Sequence, residues 1–353
     1  MNSQPLSKED ISRVIEGRGH AARVPLAFHF WTSTAVFGEK KEEAARLLDT
    51  VPCDIDVVEL NFPQVKTSRT PEGAYVWNQK PLPDEALSRG HDNRSILETW
   101  DDLDAFLNAF PTPWDPRLIP QRASSERYRL VSWWYCLFER LWEFRGMENA
   151  LMDFYLYPEE VHRLFEKLTE FYLTAIERAA SELGANGVFV SDDLGTQTSP
   201  FFSVDLFREF FKPCYKKLFD RAHELGMHFW LHSCGNIEPL LPEFIDIGLD
   251  VIHPIQKYTM DDAQIARKYG GDICLWYGFD VQQILPYGTA QDVRDEVRRI
   301  METFKRGDGR FMLTMGNNAT PDWPLENLRV LYEESLRLGS FEEEETPSGQ
   351  TAP

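Results

Sequence analysis

The chain is 353 residues long, room for two ordinary domains or one α/β barrel, and 42% of it is hydrophobic, ample for a core. With 57 acidic against 37 basic residues its net charge is -20, which repels phosphate backbones and anionic membrane surfaces, so neither nucleic acid nor a membrane is expected as a partner. Five widely spaced cysteines (Cys53, Cys136, Cys214, Cys234, Cys274) do not form a secreted disulfide framework, and with no signal-peptide pattern and no membrane-length apolar run a reducing, cytoplasmic setting is expected.

Ser7 followed three residues later by Asp10 predicts a capping box, and Ile11, Val14 and Ile15 give the helix behind it one apolar face. Short apolar strands then alternate with helical patterns. The predicted strands are 24–30, 56–60, 130–138, 187–193, 228–234, 250–256, 273–280 and 311–317. The clearest helix is 159–183, where Val161, Leu164, Phe165, Leu168, Phe171 and Tyr172 recur at helical spacing. A second, 206–226, carries Pro213 inside and so predicts a kink or break there, with Gly226 placed to end it.

Eight strand-helix units favour an α/β protein built as a single-domain (β/α)8 TIM barrel over residues 1–340, with an open doubly wound sheet as runner-up. No GxGxxG or GxxxxGK[ST] turn follows any strand, which counts against the open sheet. Between the second and third strands, residues 62–127 hold eight of the 22 prolines and Trp77, Trp100 and Trp114, too much chain for a simple connection. That insertion is either a lid over the barrel mouth or a surface excursion. The acidic, polar stretch 341–353 is expected to be a disordered tail.

In a barrel, polar groups at the C-terminal ends of strands are placed for chemistry. His29 ends strand one, Glu59 and Asn61 end strand two, Glu139 follows strand three, and Asp192 and Asp193 end strand four. His232 and Cys234 end strand five, His253 and Gln256 strand six, Asp280 strand seven, and Asn317 and Asn318 strand eight. The candidate catalytic groups are Glu59, Asp193, His253 and Asn317. The candidate substrate contacts are His29, Asp192, Gln197, Gln256 and Asp280. On strand five the period of two puts His228, Trp230, His232 and Cys234 on one face. Imidazole and thiolate as next-but-one neighbours suit zinc. The bland alternative is a buried core pair, and a third ligand has to come from Asp193, Asp192, Asp280 or His253. Of the adjacent aspartates only one can face the mouth, leaving the other to cap a helix or hold a loop.

The stretches HSCGNIEPLLPEFIDIGLDVIHP and FMLTMGNNATPDWPLENLRVLYEES resemble the uroporphyrinogen decarboxylase superfamily, which includes corrinoid-dependent methyltransferases of the methylcobamide:coenzyme M type. The resemblance runs from about residue 130 to 338 and implies a (β/α)8 barrel. It implies zinc held by a His-x-Cys, matched by His232 and Cys234, and a further Cys after the last strand, where this chain has Asn317. It also implies, for decarboxylases, arginines in the loop after the first strand, which here reads HFWTSTAVFGEKK. On the methyltransferase branch zinc would activate a thiol or polarise a methylated substrate, a corrinoid would arrive on a separate protein, and a homodimer is compatible. A cofactor-free decarboxylase using Glu59 or Asp193, and a ligand-binding barrel without turnover, are the alternatives.

Overall fold

The computed structural model describes residues 4–84 and 95–341. The predicted tail, from residue 342 on, and residues 85–94 of the insertion lie outside the described residues. The chain divides into two compact units, 55–265 and 1–54 with 266–353.

In the 55–265 unit five parallel strands follow one another in chain order: β1 (Ile55–Glu59), β2 (Tyr128–Trp133), β3 (Gly187–Ser191), β4 (His228–His232) and β5 (Val251–Ile255). β2, β3 and β5 are buried along their whole length, so both of their faces are covered, as expected of a parallel sheet flanked by helices. The helix Pro158–Leu183 buries the predicted stripe and ends at Gly184 in the left-handed conformation. The predicted break near Pro213 is found as a π-helical stretch, Phe207–Phe211, ahead of the helix Lys212–Glu224.

Strand three is shorter than predicted. The largely apolar run 130–138 conceals a turn with Tyr135 at positive φ, and Phe138 opens a helix to Arg145, so Glu139 sits in a first helical turn. Within the described part of the insertion Leu103–Asn108 forms a short helix. Trp77 is buried with the Arg140 guanidinium 4.9 Å over its ring, and Trp100 is buried beneath Arg145 at 4.8 Å, while Trp114 is exposed.

The other unit holds β6 (Cys274–Phe279) and β7 (Phe311–Met315), paired in parallel, and the helix Lys8–Ile15 with the predicted capping box and Ile11, Val14 and Ile15 buried. The strand predicted over 24–30 is not formed. Leu26 makes an isolated parallel bridge to Leu313, and Phe28–Trp31 is a short helix. Pro25 has no N–H to extend the ladder, and Phe28 and Trp31 bury together at helical spacing rather than on alternate faces. No helix among the described residues is long and apolar enough to cross a membrane.

Candidate metal centre

β3 runs on as Asp192, Asp193, Leu194 and Gly195, and the alternation of its side chains separates the two aspartates. Asp192 points away from the strand's inner face. Its carboxylate accepts the backbone N–H groups of Leu137 and Phe138 at 3.1 Å and Glu139 at 2.8 Å, and the Tyr215 hydroxyl donates to it as well. It therefore satisfies the open donors at the start of the helix Phe138–Arg145, a capping task rather than the expected substrate contact. Burial outweighs these donors and pushes its pKa up to about 6.

Asp193 takes the inner face. Its Oδ1 accepts the Cys234 backbone N–H at 2.8 Å and lies 3.5 Å from His232 Nε2, while His232 Nε2 is 3.3 Å from Cys234 Sγ. The three candidate ligand atoms all fall within 4.8 Å of one another. Bond lengths of about 2.3 Å to sulfur and about 2.0–2.1 Å to nitrogen or oxygen imply donor separations of roughly 3.3–3.6 Å around tetrahedral zinc. The separations of His232 Nε2 from Cys234 Sγ and Asp193 Oδ1, 3.3 and 3.5 Å, match that spacing, so the residues fit a zinc ion.

The sequence brings these ligands together through a backbone contact between two loops. The Asn236 N–H donates to the Thr196 carbonyl at 2.7 Å and the Leu194 N–H to Ser233 Oγ at 3.0 Å. Gly195 and Gly235 stand where the loops touch, with Gly235 at φ +85°. Gln256 Oε1 accepts the Gly235 N–H at 2.8 Å, which makes Gln256 a brace for this turn.

Electrostatics complete the picture. Burial lowers the His232 pKa, against a smaller opposing effect of Asp193, so the imidazole is neutral and able to bind a metal. Burial first, and then the negative charge of Asp193, push the Cys234 thiol far above its usual range. A cation at this position reverses that bias, because it stabilises the thiolate. Glu139, buried and accepting a hydrogen bond from Ser191 Oγ, is held well above the carboxylate range by burial, then by Asp193 and Asp192. Half-buried Trp134 turns its ring nearly perpendicular to His232, centroids 6.2 Å apart.

The remaining candidates fall in several settings. Glu59 is exposed at the end of β1, where it lines a cavity of about 950 Å³ with Asn61, Tyr75 and Arg117. Gln197 is exposed. His253 is buried, its Nδ1 2.8 Å from His232 Nδ1. In the other unit, His29 lies on the helix Phe28–Trp31 rather than at a strand end. Asp280 accepts the N–H groups of Gln282, Gln283 and Ile284 and so holds a turn. Asn317 is exposed, its Oδ1 accepting the Asn318 N–H at 2.7 Å. Trp134 was not singled out from the sequence. It lies two residues beyond Ser132, and the same alternation that found His232 and Cys234 places it on that face.

The uroporphyrinogen decarboxylase (URO-D) family model matches residues 142–336. A uroporphyrinogen decarboxylase of Vesicomyosocius okutanii is 24% identical over 176 residues, covering 50% of this chain and 48% of the relative. One of Xylella fastidiosa is 26% identical over 192 residues, 51% of each chain. The chain thus spans about half the length of the curated relatives it matches. Among solved structures, a methyltransferase from Methanosarcina mazei superposes with a TM-score of 0.58 at 15% identity, over 94% of this chain and 99% of that one, a likeness of fold.

Proposed function

The chain belongs to the uroporphyrinogen decarboxylase family, and from that premise we propose that it is a zinc-dependent methyltransferase on a (β/α)8 barrel, serving a small thiol or methylated substrate. The observation that carries this reading is the spacing of Asp193, His232 and Cys234. Asp193 takes the part of third ligand. Bound zinc supplies Lewis acidity, which lowers the pKa of a substrate thiol or polarises a methyl-bearing heteroatom.

The chain's own residues prepare that chemistry. Cys234 and Asp193 together offer two negative charges, enough to neutralise a divalent ion beside neutral His232. Glu139, kept protonated by burial, prevents a third charge from accumulating. The Cys234 N–H fixes the rotation of the Asp193 carboxylate. Trp134 screens one side of His232 from water. We propose that the methyl group is exchanged with a corrinoid carried by a separate protein.

The names of the curated relatives favour a second reading, a carboxy-lyase acting on a porphyrinogen. The segment after residue 28, HFWTSTAVFGEKK, offers no arginine fork for a substrate rich in carboxylates. Metal analysis of protein purified without chelator separates the two. About one zinc per chain, with methyl transfer between methylcobalamin and a thiol, is expected. Absence of metal, together with carbon dioxide release from a porphyrinogen that survives in a His232→Ala, Cys234→Ala double variant, would replace the first reading by the second.

A further inference from the structure

His253 stands behind the three candidate ligands. Its Nδ1 is 2.8 Å from His232 Nδ1, whereas it is the other nitrogen of His232, Nε2, that faces Cys234 and Asp193. The two rings are tilted by 32° with centroids 5.0 Å apart, and both are buried. Phe189 packs nearly edge-on against each, at 6.3 Å and 6.4 Å. The backbone holds this arrangement in place, since β4 and β5 pair His232 with His253 and the Ser233 N–H donates to the His253 carbonyl at 2.8 Å.

We propose that His253 is the positioning residue of the metal centre, its Nδ1 accepting the Nδ1–H of His232 and so presenting His232 Nε2, bare and aimed, to the ion. A hydrogen bond between two ring nitrogens needs one donor and one acceptor. The nitrogen that binds a cation carries no proton, so neutral His232 carries its proton on Nδ1. His253 Nδ1 is then bare, and the His253 proton resides on Nε2. Partners of this outer kind fix ring orientation and tautomer, and losing one typically costs 10–100-fold in metal affinity. Here the partner is a neutral imidazole. Unlike a carboxylate it adds no negative charge behind the ligand, which leaves the bound ion a stronger Lewis acid.

The inference rests on the zinc reading, and two substitutions test it separately. His253→Phe keeps a buried ring and removes the acceptor. His253→Asn places Oδ1 close to where Nδ1 stood and keeps the acceptor. Zinc dissociation constants from competition with a chromophoric chelator are expected to rise about 10–100-fold for the Phe variant and to return to within several-fold of wild type for the Asn variant. Visible spectra of the cobalt-substituted proteins should show the same order of distortion. Wild-type affinity in the Phe variant overturns the proposal, and so does equal weakening in both variants. Should the Phe variant not fold, nitrogen-15 spectra of labelled histidine in the zinc-loaded wild type decide: a proton on His253 Nε2 supports the proposal and one on Nδ1 overturns it. A wild-type protein that takes up neither zinc nor cobalt defeats the zinc reading itself.

Discussion

Gly235 packs backbone against backbone on Gly195: a Cβ added to Gly235 would fall 2.5 Å from the Gly195 carbonyl carbon and oxygen, and one added to Gly195 would fall 2.7 Å from the Cys234 carbonyl oxygen. The contact sets the distance between the loop that carries Asp193 and the turn that carries Cys234. It also makes both glycines sensitive reporters of the site.

Gly235→Ala combines that clash with a left-handed backbone at φ +85°, so it should destabilise the protein by about 1–3 kcal/mol. Gly195→Ala meets the clash alone. Both should weaken zinc binding, because the loops must part. Urea unfolding and chelator competition on the same preparations measure the two effects, and unchanged zinc affinity in both would show that ligand spacing does not depend on the contact.

Removing ligands should grade the metal content. His232→Ala and Cys234→Ala should leave the protein folded by circular dichroism and without stoichiometric zinc. Asp193→Asn keeps an acceptor for the Cys234 N–H and loses the charge, so it should weaken zinc by more than about 100-fold, beyond the usual cost of an outer-shell change. Full zinc occupancy at wild-type affinity in Asp193→Asn would remove Asp193 from the ligand set.

Asp192 predicts a pH effect with a definite sign. Its pKa rises from 3.8 to about 6 in the folded protein because of burial. The folded state therefore holds this proton more tightly than the unfolded chain does. The associated stability is fully present below about pH 3.8 and is lost as pH rises through about 6. A shift of about two units corresponds to roughly 3 kcal/mol. Tyr215 donates to the charged form, so Tyr215→Phe should cost about 1.5–3 kcal/mol at pH 7 and about 1 kcal/mol at pH 4. Equal costs in urea titrations at the two pH values would contradict this account.

Arg23 and Asp54 form a fully buried, two-pronged pair at 2.6 and 2.7 Å, and Asp54 also accepts the Leu6 and Leu26 N–H groups at 2.9 and 2.8 Å. Arg23→Ala leaves a buried carboxylate without its counter-charge and should cost about 3–5 kcal/mol. The check is a lower denaturation midpoint at unchanged slope. Zinc affinity measured under native conditions should stay at its wild-type value.

Seven of the eight predicted strands were readable because their apolar runs are short and bounded by charged or turn residues, as in DVVEL and GVFVSDD. VPLAFHF failed because Phe28 and Trp31 are as compatible with helical spacing as with alternation, and only their joint burial selects the helix. LVSWWYCLF failed at its end because WWYCLF carries no charged, Gly or Pro residue to mark the turn at Tyr135. Within the site, His232 and Cys234 were visible as a same-face pair. The choice between Asp192 and Asp193 was legible only as a choice.

By itself the sequence determined what local periodicity determines: which segments alternate, which face each residue takes, and that a His-x-Cys pair closes one strand. Tertiary structure decided which of two adjacent aspartates meets that pair, that Asp280 and Gln256 hold turns, and that His253 stands behind His232. Such relations depend on how closely two loops approach. That distance is set by contacts between residues some 40 apart in the chain, such as Gly195 and Gly235, which no local pattern records.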